Sequence, residues 1–183
     1  MISRERALEL VHEKLVNKNL RKHVYAVEAV MRALARLEGA DEEVWGLTGL
    51  LHDLDYEETK DDFPHHTYIT REFLEAEGNV SEEMLNAIHA HAGFVPRSAA
   101  MEKAIYCGDP VTGFIVACAL MHPEKKVASL DADFMLRRFK EKRFAAGADR
   151  EQMKTCSELG LELVEFLLLA RDAMASISSE LGL

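Results

Sequence analysis

Apolar residues recur every three or four positions through most of the chain and nowhere alternate strictly with polar ones. The pattern therefore predicts amphipathic helices and no strand. Ala7, Leu8, Leu10, Val11 and Leu15 mark a first helix from a cap at Ser3 to about residue 16. Leu20, Val24, Val27, Val30, Met31, Leu34 and Leu37 stripe a second over 19–38, with Gly39 as its stop. Asp41 caps a third over 42–55, whose first turn carries two acids, as the helix dipole favours. Residues 57–64 are polar, end in Pro and read as a loop. A helix over 66–77 stops at Gly78, and Ser81 caps another that runs to about 91. A loop over 92–97 contains Gly93 and Pro96. From about Ser98 a long apolar helix reaches Met121; Pro110 should kink it, and His122-Pro123 ends it. Helices over 131–143 and 149–181 complete the expectation. With no repeat and no Gly/Ser linker, the 183 residues read as one all-α domain, with a core over about 19–122 and a helical C-terminal extension over about 123–183.

Composition agrees with helix, since Leu, Ala and Glu are abundant and the chain holds only 4 Pro and 10 Gly. The formal net charge of -10 argues against long nucleic acid and anionic membrane as partners. A small anionic substrate fits only where cations offset that field. Cys107, Cys118 and Cys156 are scattered and odd in number, so they read as free buried thiols. The first residues are charged and lack a signal-type apolar region, and the apolar runs 114–121 and 163–170 are too short to span a bilayer. A cytoplasmic protein is expected. Leu161, Val164, Leu167 and Leu168 leave room for a homo-oligomer.

Chemistry is concentrated in eight histidines, at 12, 23, 52, 65, 66, 89, 91 and 122. The central run is Leu50-Leu51-His52-Asp53-Leu54-Asp55. An adjacent His and Asp in an apolar helix are costly to bury unless paired or bound to metal. Neighbours on a helix differ by about 100°, so both side chains can converge on one ion. Imidazole with carboxylate suits Fe, Mn, Zn, Co or Ni. His23, on the preceding amphipathic helix, is a first partner. Asp109, in Cys107-Gly108-Asp109-Pro110, is a carboxylate among apolar residues and a second.

The order His, His-Asp, distant Asp resembles the signature of the HD-domain phosphohydrolases, here His23, His52-Asp53 and Asp109. Gly49-Leu50-Leu51-His52-Asp53 is similar to the family's "LLHD" run. The resemblance covers about 19–120. Met101-Glu102-Lys103-Ala104-Ile105-Tyr106 resembles the "LEKIIY" run of small bacterial members that cleave diadenosine tetraphosphate, and 139–150 resembles the tail of other small HD hydrolases. The resemblance implies an HD-domain helical bundle and a first metal on His23, His52, Asp53 and Asp109. It also implies a second, bridged by Asp53 and held by His66 and His91. One or two divalent transition metals are thus expected, with His52 and Asp53 at the centre of catalysis and a shared hydroxide attacking phosphorus in line.

Some assignments stay open at this point. Of His65 and His66 the motif favours His66, leaving His65 to solvent or substrate. His89 and His91 lie about 200° apart on a helix, so one of them ligates; His91 is favoured and His89 is a substrate or supporting residue. His12 and His122 read as surface residues. Asp55 to Glu58 read as a solvated loop, although Asp55 can also orient an imidazole. Lys22, Arg97 and Lys103 are candidate phosphate contacts, while Lys140, Lys142 and Arg143 read as a solvated basic face. The leading expectation is a hydrolase of a phosphomonoester or phosphoanhydride, in a nucleotide. The alternatives are a di-iron oxygenase on the same scaffold and a nucleotide-binding regulatory module.

Overall fold

A computed structural model describes all of residues 1–183 as helices joined by turns, with no strand. The elements are α1 (Arg4–Lys14), α2 (Lys18–Glu38), α3 (Glu42–Leu51), α4 (Tyr56–Thr59), α5 (Tyr68–Glu77), α6 (Glu82–His91), α7 (Ala100–Met121), α8 (Ala132–Phe139), α9 (Arg150–Lys154), α10 (Leu163–Ala175) and α11 (Ser178–Leu181). Short 3-10 turns lie at Phe63–His65, Val127–Ser129 and Thr155–Leu159. The expected caps form. Ser3 accepts from the Arg6 amide, Asp41 from those of Glu43 and Val44, and Ser81 from that of Met84. Gly39 closes α2 in the left-handed conformation, φ 66°.

The bundle is organised around α2 and α7. The second helix packs along α3 on one side and against α7 and α10 on the other, while α6 joins α3 and α7. A continuous core of 44 buried residues runs from Ile2 to Leu181. Glycine sets the α2–α3 spacing. A Cβ on Gly49 would lie 2.9 Å from the Val27 carbonyl oxygen and 3.0 Å from Met31 Cγ, so only hydrogen lets the two helices meet this closely. Beside it, the buried Glu28 carboxylate takes Arg4 at 2.7 Å and Arg32 at 3.0 Å, and Arg32 reaches on to Glu43, tying α1, α2 and α3.

Several boundaries differ from the sequence expectation. The third helix stops at Leu51, so His52 to Asp55 form turns beyond its end. The stretch after them is not a plain loop, because it coils into α4. The fifth helix starts at Tyr68, two residues after His66, because Thr67 adopts φ 73°. The expected helices over 131–143 and 149–181 are interrupted. Arg150 draws the carbonyls of Phe144, Ala145 and Ala148 onto its guanidinium and wraps 140–149 into turns. Further on, Gly160 at φ 73° breaks the chain between the 3-10 turn and α10.

The apolar stretch around 114–121 belongs to a helix, α7, that by length and composition is long enough to cross a membrane. Over half of its most apolar window is buried inside the protein, and it carries Asp109 and Pro110 at its middle. All three cysteines are free and buried, and burial pushes the Cys118 thiol up to about 12 and Cys156 to about 11.

Candidate metal centre

Six of the residues singled out in the sequence converge on one point between α2, the turns after α3, the start of the α5 segment, α6 and α7. His23 Nε2 lies 3.0 Å from Asp109 Oδ1 and 3.6 Å from Asp53 Oδ2. Asp53 Oδ1 faces the Nε2 atoms of His66 at 3.3 Å, His52 at 3.5 Å and His91 at 3.5 Å. His52 Nε2 is 3.9 Å from Asp109 Oδ1, and the Nε2 atoms of His66 and His91 are 3.1 Å apart. Bonds of about 2.0–2.2 Å to a shared ion place donors about 3 to 3.5 Å apart, a range that holds most of these separations, with His23–Asp53 and His52–Asp109 slightly wider. Two overlapping sets, His23/His52/Asp109 and His52/Asp53/His91, each hold their donor atoms within 4.8 Å of one another.

The second nitrogen of every imidazole decides what the first can do. His52 Nδ1–H donates to the Gly49 carbonyl at 2.8 Å, and His91 Nδ1–H to that of Ile88. His66 Nδ1–H donates to Asp55 Oδ1 at 2.8 Å. His23 Nδ1–H donates to Thr112 Oγ1 at 3.0 Å, and that hydroxyl in turn donates to the main-chain carbonyl of Asp109 at 2.9 Å. With all four Nδ1 positions acting as donors, the four Nε2 lone pairs point inward at two carboxylates. Such a ring of acceptors repels itself unless a cation or extra protons fill it. His52 Nε2 is completely buried with no hydrogen-bond partner, a state that a bound metal relieves and that is otherwise costly. The residues therefore fit one or two divalent ions.

Titration behaviour in the metal-free protein follows from the same crowding. Burial lowers His52 to about 4, against the pull of Asp53. Burial also works against protonating His66, but Asp53 and Asp55 outweigh it and lift it to about 9. Burial would raise Asp53, yet the surrounding imidazoles hold it well below the ordinary carboxylate range.

A cavity of about 790 Å³ opens above these donors. Five of the six line it, together with Leu20, Tyr56, Phe63, Tyr106 and the segment Ala145–Gln152, while His52 lies beneath. A search with family models matches the HD domain over residues 20–153, nearly three quarters of the chain. The chain belongs to the HD-domain family. HD domains as a superfamily are metal-dependent phosphohydrolases, which agrees with this donor set. Searches of curated proteins and of solved structures returned no match. The HD match carries past Met121 through the segment that walls the cavity, further than the sequence resemblance over 19–120.

The five other expected contacts lie outside the cavity lining. Lys22 is turned to the Leu181 carbonyl at 2.7 Å. His65 is exposed and pairs with Asp62. His89 holds Thr67 Oγ1 at 2.7 Å, so it supports the strained residue next to His66. Arg97 pairs with Glu158 and stacks over Tyr106, its guanidinium carbon 3.7 Å from the ring centroid. Lys103 lies half-buried on α7 before Tyr106.

Sequence reasoning treated Asp55 mainly as part of a solvated loop. It is fully buried, fixed by the Thr70 amide at 3.0 Å as well as by His66. Thr112, Asp149 and Gln152 were missed. For Thr112 the signal was its place one turn after Asp109, on the same face of α7.

Proposed function

We propose that this chain is a metal-dependent phosphohydrolase that cleaves a phosphomonoester or phosphoanhydride, with a nucleotide as the favoured substrate class. His23, His52, Asp53 and Asp109 hold one divalent metal, and Asp53 with His66 and His91 serves a second. A divalent ion there polarises a phosphoryl oxygen and lowers the pKa of bound water. The protein's own part is positional. Asp53 spans the centre, one carboxylate oxygen toward His23 and the other toward His52, His66 and His91. Asp55, Thr112 and the carbonyls of Gly49 and Ile88 hold the imidazoles in the tautomer that presents Nε2. The depth of the centre keeps bulk water from competing with the substrate.

The observation that carries this reading is the inward-facing, partnerless Nε2 of His52 among three other anchored imidazoles and two carboxylates. Metal analysis of purified protein, then chelation and add-back of Mn, Fe, Co, Ni or Zn against a panel of phosphate esters, tests it. Restored hydrolysis by at least one metal is expected. Failure of every metal across the panel refutes it, and oxygen uptake with a mixed-valent iron signal in paramagnetic resonance assigns the centre to oxygenation instead.

A further inference from the structure

The electrostatics of the cavity restrict what the centre can accept. Eighteen residues line it and none is Lys or Arg. Its carboxylates are Asp53, Asp109 and Asp149. Among the basic residues on the elements that wall it, Lys22 is held by the Leu181 carbonyl, Arg97 by Glu158 and the Tyr106 ring, and Arg150 by three backbone carbonyls of its own segment, while Lys103 on α7 lies outside the lining. Within the lining itself, only the metal centre can neutralise an anion that enters. A terminal phosphate ester carries about -1.5 to -2 charges at neutral pH, which the centre can meet directly. Each further phosphate of a di- or triphosphate would extend away from the metals into a space that offers no cation and a third carboxylate, where like charge is strongly disfavoured.

The remaining surface fits an uncharged partner. Leu20, Phe63, Ala117, Ala145 and Ala148 present carbon, and Tyr56 and Tyr106 add phenol rings. Phe63 stands half-exposed at the rim, 5.4 Å from the Phe94 ring and 5.5 Å from that of His66, positioned to stack on a flat group. Resting on the hydrolase reading above, we infer that the substrate carries a single phosphate, esterified to an uncharged and partly apolar organic group, and that nucleoside triphosphates and dinucleoside polyphosphates are rejected by the cavity wall.

The experiment uses the full chain loaded with a metal, at fixed free-metal concentration. Adenosine 5′-monophosphate, adenosine triphosphate, diadenosine tetraphosphate and p-nitrophenyl phosphate are compared by kcat/KM and by calorimetric binding. The monoesters are expected to exceed both polyphosphates by about 100-fold or more in kcat/KM, equivalent to about 2.7 kcal/mol, with the same order in affinity. Polyphosphates within tenfold of the monoesters in either measurement overturn the inference. Tighter binding of the monophosphate without turnover in any metal preserves the inference about the ligand while sinking the hydrolase reading. A converse variant sharpens the result. Gly147 sits on the wall at an exposed position where an added Cβ meets nothing within 4 Å. Gly147→Lys is expected to raise triphosphate relative to monophosphate by about tenfold or more. Neutralising the exposed pair Lys142 and Arg143 is expected to change monophosphate kcat/KM by less than about twofold; a tenfold loss would mean that the cavity borrows its cations from the surface, and would overturn the inference.

Discussion

The floor and the outer wall of the cavity are built on opposite plans. On the floor each imidazole is anchored through Nδ1, Asp53 and His52 are buried, and close approach of α2 and α3 depends on a missing Cβ at Gly49. The wall is a run of turns with small side chains over Ala145–Asp149 that leads into α9, pinned from behind by Arg150. Asp149 illustrates the difference. Its Oδ1 caps α9 through the amides of Glu151 and Gln152. On the floor, carboxylates of the same type face imidazoles instead. A site whose chemistry demands fixed donor geometry is over-determined, while a surface that only has to admit or refuse a substrate can rest on loops.

Substitution at matched carboxylates should break that comparison most visibly. Asp53→Asn is expected to empty the centre and lower kcat/KM by about 10³-fold or more, whereas Asp149→Asn should keep full metal content and change kcat/KM less than about tenfold. Elemental analysis beside steady-state kinetics reads both. If the two variants behave alike, the floor and the wall are not distinct.

The next largest effect concerns the anchors. Asp55→Asn removes the acceptor charge that fixes His66 and should weaken metal binding by about 10–100-fold with the helical content unchanged. Competition with a chromogenic chelator measures it, and unaltered affinity would mean that His66 needs no support. Close packing of α2 and α3 is tested by Gly49→Ala, which should lower stability by about 1–3 kcal/mol in denaturant unfolding.

A subtler consequence concerns pH in chelated protein. His66, lifted to about 9, contributes stability that is complete below the usual imidazole value of about 6.5 and is lost as pH rises through 9. His52, held at about 4, acts in the other window and lowers stability as pH falls from about 6.5 toward 4. Thermal unfolding of metal-free protein should therefore weaken on both sides of pH 6.5. Metal binding needs deprotonated imidazoles, so added metal should raise Tm more at pH 8 than at pH 6. A metal-induced Tm gain that shrinks with rising pH would contradict the assignment of these histidines. Smallest of all, Phe63→Ala should raise KM a few-fold for a substrate with an aromatic group while leaving kcat unchanged, since a ring pair contributes about 0.5–1.5 kcal/mol.

Much of this was legible beforehand because metal donors must be particular residue types. His23, His52, Asp53 and Asp109 declared themselves as polar residues in apolar helical surroundings, and the caps at Ser3, Asp41 and Ser81 are local devices readable within three residues. The supporting residues were not legible in the same way. Asp55 looks like any acid in a polar stretch until Thr70 and His66 close over it. Lys22, beside His23 in sequence, is drawn to the carbonyl of Leu181.

What the chain alone determined is the helical architecture and which histidines and carboxylates were candidates to gather, because helical periodicity and side-chain chemistry are written in residue type and short spacing. What only the folded arrangement decided is how those histidines gather round two carboxylates, which groups orient them, and that the wall at 145–152 turns its one cation, Arg150, onto backbone carbonyls and away from the cavity lining. Those properties are distances between segments far apart in sequence, and packing sets them.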